Sequence, residues 1–190
     1  MARNTYVIGA QCTGKSTLVN ALDGHVNSTN ANPPAIIKEV ARTVLQEYKY
    51  SADDIRASPD RALQLQKLIL EAQHKAESQQ KGNFFISDRS GVDPVVYTRI
   101  FVGEEAAQDM MGSEIWKDMH LNMQSARILV CEPVSAWLHD DGIRLMPINI
   151  DELNSLHQSF CQLLRELGMK FTVVPKEMTD IDERVKLALG

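Results

Sequence analysis

No apolar run in the 190-residue sequence approaches membrane-spanning length, which argues against a transmembrane helix. No excess of positive charge is present either: 20 Lys and Arg stand against 25 Asp and Glu, a formal net charge of −5. A general nucleic-acid binder needs a basic face, so no nucleic-acid partner is expected. The three cysteines, Cys12, Cys131 and Cys161, form neither a CxxC pair nor an even set. They read as reduced thiols, and with no signal-peptide pattern in MARNTYVIG the expected compartment is the cytoplasm. There is no internal repeat and no evident domain boundary, so residues 1–190 are expected to form one domain.

What is there is an alternation of short apolar runs and helical stretches. Thr5–Ile8, Ala35–Lys38, Phe84–Ser87, Ile128–Cys131 and Phe171–Val174 read as strands. Helices are expected from about Lys15 to Leu22, over Glu39–Tyr48, from Ser58-Pro59 to about Gln80, from Asp93-Pro94 to about Phe101, and over Ile115–Met123. Two more follow, one on the Leu153–Leu167 apolar stripe ended by Gly168 and one started by Asp180 with Glu183. Gly24–Pro34 and Gly103–Ser113 read as loops. Strands alternating with helices predict an α/β fold whose parallel sheet is covered on both faces.

Gly9-Ala10-Gln11-Cys12-Thr13-Gly14-Lys15-Ser16 fits G-x-x-x-x-G-K-[ST] between a strand and a helix. Its glycines let the backbone approach phosphate, and its N–H groups with the helix N-terminus face the anion. Lys15 supplies a mobile charge for the outer phosphates, Ser16 would hold magnesium, and Thr17 can contact an inner phosphate. The candidate nucleotide-binding set is therefore Gly9, Gln11, Cys12, Thr13, Gly14, Lys15, Ser16 and Thr17.

Asp88-Arg89 closes an apolar strand, where Asp88 can join Ser16 in the magnesium shell and Arg89 can reach the transferred phosphate or the acceptor. Asp88 to Gly91 also fits D-x-x-G, but no N/T-K-x-D occurs anywhere, so a guanine-specific switch is disfavoured. Asp93 is expected to cap a helix and could also face a substrate, as could Tyr97 one turn on. Glu39 ends the second strand, on the rim where ligands collect in parallel sheets. It could orient an acceptor hydroxyl or take its proton, with Arg42 binding a substrate anion. Trp137, Trp116 and Tyr97 are candidate ring-stacking residues.

Taken in order, GAQCTGKS, IIKEVAR, FFISDRSGVD and ILVCEPVSAWLHDDGIR resemble a P-loop kinase-like family of AAA domains. Its best-known member is the ribosylnicotinamide kinase domain of a bacterial bifunctional regulator of NAD biosynthesis. The resemblance implies a three-layer P-loop NTPase sandwich with strand order 2-3-1-4-5 and a small lid at about 137–150. It implies ATP and Mg2+ as cofactors and a small-molecule, nucleoside-like acceptor. By the same resemblance Asp141-Gly142-Ile143-Arg144 belongs to the lid, and Arg144 stabilises transition-state charge. Lys15, Glu39, Asp88, Arg89 and Arg144 would then be catalytic, and Glu39, Arg42, Arg89, Asp93 and Tyr97 would hold the acceptor. The chain has no H-x-G-H adenylyltransferase motif. A non-catalytic nucleotide sensor and a simple NTPase are the rival readings.

Overall fold

The computed structural model describes residues 3–29, 32–137 and 149–190. A five-stranded sheet runs in the order β2-β3-β1-β4-β5, with every neighbouring pair parallel, as the family resemblance implies. The strands are β1 (Thr5–Ile8), β2 (Ala35–Ile37), β3 (Phe85–Asp88), β4 (Arg127–Cys131) and β5 (Thr172–Val174). Pleating divides them between two cores. Tyr6, Ile8, Phe85, Ile128 and Val130 point to one face, and Val7, Ile86, Leu129 and Cys131 to the other. Both faces are buried, which is why the strands are nearly all apolar rather than alternating.

The second face is covered by α1 (Lys15–Thr29) and α9 (Ile181–Leu189), through Leu18, Val19, Leu22, Val26, Val185 and Ala188. The first is covered by α4 (Pro59–Ser78), α5 (Val92–Phe101), α6 (Glu104–Met111), α7 (Glu114–Gln124) and α8 (Ile150–Glu166). Two short helices, α2 (Val40–Glu47) and α3 (Ala52–Ala57), pack on α4 in a separate apolar cluster of Val44, Leu45, Ile55, Ala62, Leu65 and Ile69.

Several boundaries differ from the sequence expectation. The first helix runs seven residues past Leu22, so the expected Gly24–Pro34 loop is helical as far as Thr29. Gly24 costs that helix up to about 1 kcal/mol, but the buried side chain of Val26 anchors the extra turns. The expected Gly103–Ser113 loop is helix α6, fastened by Ala107 and Met110. Helix α3 was not expected. Strand β3 begins one residue later than expected and includes Asp88; strand β2 stops at Ile37 and β5 starts at Thr172.

Other signals hold. Ser58 caps α4 with Pro59 in its first turn, and Asp180 accepts from the N–H groups of Asp182 and Glu183. Asp93 is not an N-cap: it lies inside the first turn of α5, behind Gly91, and accepts from the Ser90 N–H at 2.9 Å. The expected lid falls mostly outside the described residues. At its edges, Ser135–Trp137 form a 3-10 turn and α8 starts at Ile150.

Candidate active site

The loop between β1 and α1 starts where the parallel register puts Val7 opposite Asp88. Asp88 therefore emerges beside the phosphate loop. The Ser16 hydroxyl donates to Asp88 Oδ2, while Asp88 Oδ1 is buried with no hydrogen-bond partner. An orphaned buried carboxylate oxygen next to a hydroxyl fits a hard cation that takes oxygen ligands. Magnesium completes such a shell with water and substrate phosphates, so two protein ligands suffice.

Two glycines shape the loop. Gly9 has φ +131, and a Cβ there would meet the Cys131 carbonyl oxygen at 2.7 Å. Gly14 has φ +79, and a Cβ there would meet the Trp137 ring at 2.8 Å. Cys12 adopts φ +56 without being glycine. The Lys15 ammonium donates to the Ala10 carbonyl at 2.5 Å and to Thr13 Oγ1 at 3.3 Å, folded back on its own loop. Burial, then the positive charge of Arg89, push its pKa down to about 8, although the carboxylates of Asp88, Glu39 and Asp93 oppose this.

A cavity of about 440 Å3 opens over the loop. Its lining runs from Cys12 through Thr17 to Glu39, Trp137, Thr179, Ile181 and Arg184. Sequence reasoning passed over Arg184, whose position in an ordinary amphipathic helix carries no local signal. It is 1 % exposed; its Nε donates to the Met178 carbonyl at 2.5 Å and its Nη1 to the Thr13 carbonyl at 3.2 Å. Its guanidinium lies 4.6 Å from the Trp137 ring centroid. Arg184 thus ties α9 to the phosphate loop and seats Trp137 beside it.

A second cavity, about 60 Å3 and mostly apolar, lies against α2, α3, α4 and α5. Arg89 marks its polar end. Arg89 sits at φ +91, a left-handed conformation that a non-glycine residue adopts at a cost. Its Nε donates to Glu39 Oε1 at 2.7 Å and its Nη1 to Asp93 Oδ1 at 2.9 Å. Burial works against its charge, but Glu39 and Asp93 outweigh that and hold the guanidinium protonated. Burial raises the Asp93 pKa, and Arg89 and Lys15 pull it back. The Tyr97 hydroxyl donates to Gln11 Oε1 at 2.6 Å, so the phosphate loop and α5 meet here; burial lifts the tyrosine pKa to about 12.

The structure thus brings Lys15, Ser16, Asp88, Arg89, Glu39, Asp93 and Tyr97 into one region. The Gln11 side chain faces the smaller cavity rather than the loop cavity. Arg42 stands 3.7 Å from Glu39 with its side chain 36 % exposed, and it lines neither cavity. Trp116 is buried in the core of the first sheet face and presents no ring to a ligand. Arg144 and Asp141 lie outside the described residues.

A parallel 2-3-1-4-5 sheet with a G-x-x-x-x-G-K-S loop leading into α1 defines a P-loop kinase-like α/β protein. The match of residues 4–184 to the AAA domain family covers nearly the whole chain, and the chain belongs to that family. Among solved structures, the NadR protein in complex with NR superposes with a TM-score of 0.77 at 19% identity, covering 98% of this chain and 50% of that one. The NadR protein in complex with NAD and AMP-PNP gives 0.73 at 16% identity, with 98% and 48% covered. A deoxyadenosine kinase from M. mycoides with bound dATP gives 0.68 at 16% identity, covering 98% of this chain and 97% of that one. The chain spans about half the length of the NadR structures. Identities this low show a shared fold. No curated protein matches the chain at a significant level. Among the described residues, no helix is long and apolar enough to cross a membrane.

Proposed function

We propose that the chain is an ATP-dependent phosphotransferase that moves the γ-phosphate to a hydroxyl of a small, nucleoside-like acceptor. One observation carries this reading: Glu39 lines both the phosphate-loop cavity and the smaller apolar cavity. A carboxylate shared by a nucleotide site and a second ligand site is what group transfer between two bound molecules needs. A site built only to hydrolyse or sense a nucleotide has no use for the second cavity. Proteins of similar fold carry nucleoside or nucleotide ligands: NR in one NadR structure, NAD together with AMP-PNP in another, and dATP in a deoxyadenosine kinase.

In this reading Lys15 swings from the Ala10 carbonyl to the outer phosphates, and the loop N–H groups hold the rest. Ser16 and Asp88 would hold magnesium, which neutralises phosphate charge when bound. The acceptor hydroxyl lies against Glu39. Its oxygen forms the new bond to the γ-phosphorus, the bond to the bridging oxygen of ADP breaks, and the proton passes to Glu39. Arg89, fixed by Glu39 and Asp93, neutralises charge at the transferred group. Asp93 and Tyr97 complete the acceptor side, and Arg42 adds a peripheral positive charge. Arg144 is assigned the closing positive charge by family resemblance.

ADP release measured over a panel of nucleosides and hydroxylated metabolites tests the proposal. Acceptor-dependent release supports it; release that needs no acceptor, or none with any member, counts against it. Glu39→Gln should cut acceptor-dependent turnover by about 10²- to 10⁴-fold and leave ATP affinity near wild type. An equal loss of ATP binding would remove Glu39 from the acceptor side.

A further inference from the structure

The side chain of Gln11 leaves the phosphate loop and enters the other cavity. Gln11 is the third residue of the Gly9–Ser16 loop, is 3 % exposed, and lines the smaller cavity beside Arg89 and Tyr97. Its Oε1 accepts from the Tyr97 hydroxyl at 2.6 Å. Tyr97 is held in turn. Its ring stacks on Phe101 with 6.0 Å between centroids, and its hydroxyl is hydrogen-bonded by Arg89, which Glu39 and Asp93 fix. With its pKa lifted to about 12, the tyrosine keeps its proton and stays a donor at any working pH. A line of hydrogen bonds thus runs from the acceptor side into the loop.

The next residue shows what that anchor holds. Cys12 stands at φ +56, in the left-handed region. A non-glycine residue stays there only where its surroundings impose it. Left free, the segment relaxes toward negative φ, and the N–H groups of Cys12 and Thr13 turn away from phosphate. On the other side of Gln11, the Ala10 carbonyl accepts from the Lys15 ammonium and, at 3.0 Å, from Thr13 Oγ1. Lys15 leaves that carbonyl when it takes up the phosphates, so the Tyr97 contact carries more of the hold as nucleotide binds. We infer that Tyr97 is a positioning residue for the phosphate loop: through Gln11 it keeps Cys12 in the left-handed, phosphate-binding conformation, so the floor of the acceptor cavity sets the affinity of the nucleotide site. Tyr97 does not line the loop cavity, so it acts on nucleotide only through the loop. The word acceptor rests on the reading proposed above; the contact with the loop does not.

The test is calorimetric titration of the whole chain with ATP and with inorganic tripolyphosphate, each with magnesium. Tyr97→Phe keeps the ring on Phe101 and removes only the hydroxyl; Gln11→Met keeps the length and removes the amide. Each should weaken both ligands by the same factor, about five- to a hundredfold, the cost of a left-handed non-glycine residue expressed as affinity. The double variant should bind within about twofold of either single one, because both cut the same bond. Cys12→Gly should rescue: glycine takes φ +56 without an anchor, so adding Tyr97→Phe to it should cost less than about twofold. Unchanged affinity in both single variants overturns the inference. So does a loss for ATP but not for tripolyphosphate, or an undiminished loss in the Cys12→Gly background. A lower Tm with affinity intact also overturns it, because it marks a contact that serves stability alone. The phosphotransferase reading is judged separately, by acceptor-dependent ADP release, since none of these titrations needs an acceptor.

Discussion

At Gly9 and Gly14 the same substitution has different consequences, because different atoms wait beside them. A Cβ at Gly9 meets a β4 carbonyl oxygen held in the sheet, which has nowhere to go. A Cβ at Gly14 meets the edge of the Trp137 ring and the Arg184 guanidinium, side chains that can turn. Both positions also carry left-handed strain of about 1–3 kcal/mol for alanine. Gly9→Ala should therefore lower the urea midpoint more than Gly14→Ala. Gly14→Ala should weaken ATP binding by at least tenfold at a smaller stability loss, since it unseats Trp137 from the nucleotide cavity. Equal midpoints for the two variants would contradict the argument. At this scale the sequence was most legible where chemistry is local: the phosphate loop, Glu39 after the second strand and Asp88 at the end of the third are all readable from spacing. Arg184 was not, because it reaches its site from a helix whose placement is tertiary.

Among the elements, α3 shows why short helices escape a periodicity argument. Six residues give too few turns for a stripe, and a helix this short is not stable alone. It is held by what surrounds it. Ser51 and Asp54 form a reciprocal capping box, Arg61 pairs with Asp54 at 3.0 Å, and Ile55 is buried in the apolar cluster with α2 and α4. Arg56 then crosses to α8, its Nη2 donating to both carboxylate oxygens of Glu152 at 3.1 and 3.2 Å. Helix α6 escaped for a different reason: Gly103 and Gly112 bracket it and read as loop punctuation. Arg56 is partly exposed, so Arg56→Ala should cost less than about 1 kcal/mol of global stability. Locally the effect is larger in proportion, because α3 has few other ties. Amide hydrogen exchange over residues 54–57 should quicken several-fold in Arg56→Ala, with α4 unchanged. Unchanged exchange in α3 would show that the capping box and Ile55 hold it without Arg56.

For the molecule as a whole, the pH dependence of stability is set in part by a buried polar network under the sheet, away from the phosphate loop. The Tyr6 hydroxyl on β1 donates to Glu77 Oε2 at 2.8 Å, and the Gln73 amide donates to Glu77 Oε1 at 3.0 Å and to Ser87 Oγ on β3 at 2.9 Å. Burial lifts the Glu77 pKa from 4.5 to about 7; the hydrogen bonds from Gln73 and Tyr6 and the nearby His74 pull it down, and Asp118 pushes it up. Gln73 Oε1 is buried without a partner, so a proton on Glu77 supplies a donor that the network lacks. The folded pKa lies above the unfolded one, so folding takes up a proton here. The stabilisation is complete below about pH 4.5, declines as pH rises, and is gone above about pH 7, a change of roughly 3 kcal/mol. Glu77→Gln keeps an acceptor for Tyr6 and adds an amide N–H for Gln73 Oε1, and it has nothing to titrate. Urea denaturation of both proteins at pH 4.5, 6 and 8 isolates the effect, because the other titrating groups are common to both. Near pH 4.5 their stabilities should be close, and at pH 8 the variant should be the more stable. A wild-type-minus-variant difference that stays constant across that range would mean Glu77 titrates at its ordinary value, with water reaching it through the network.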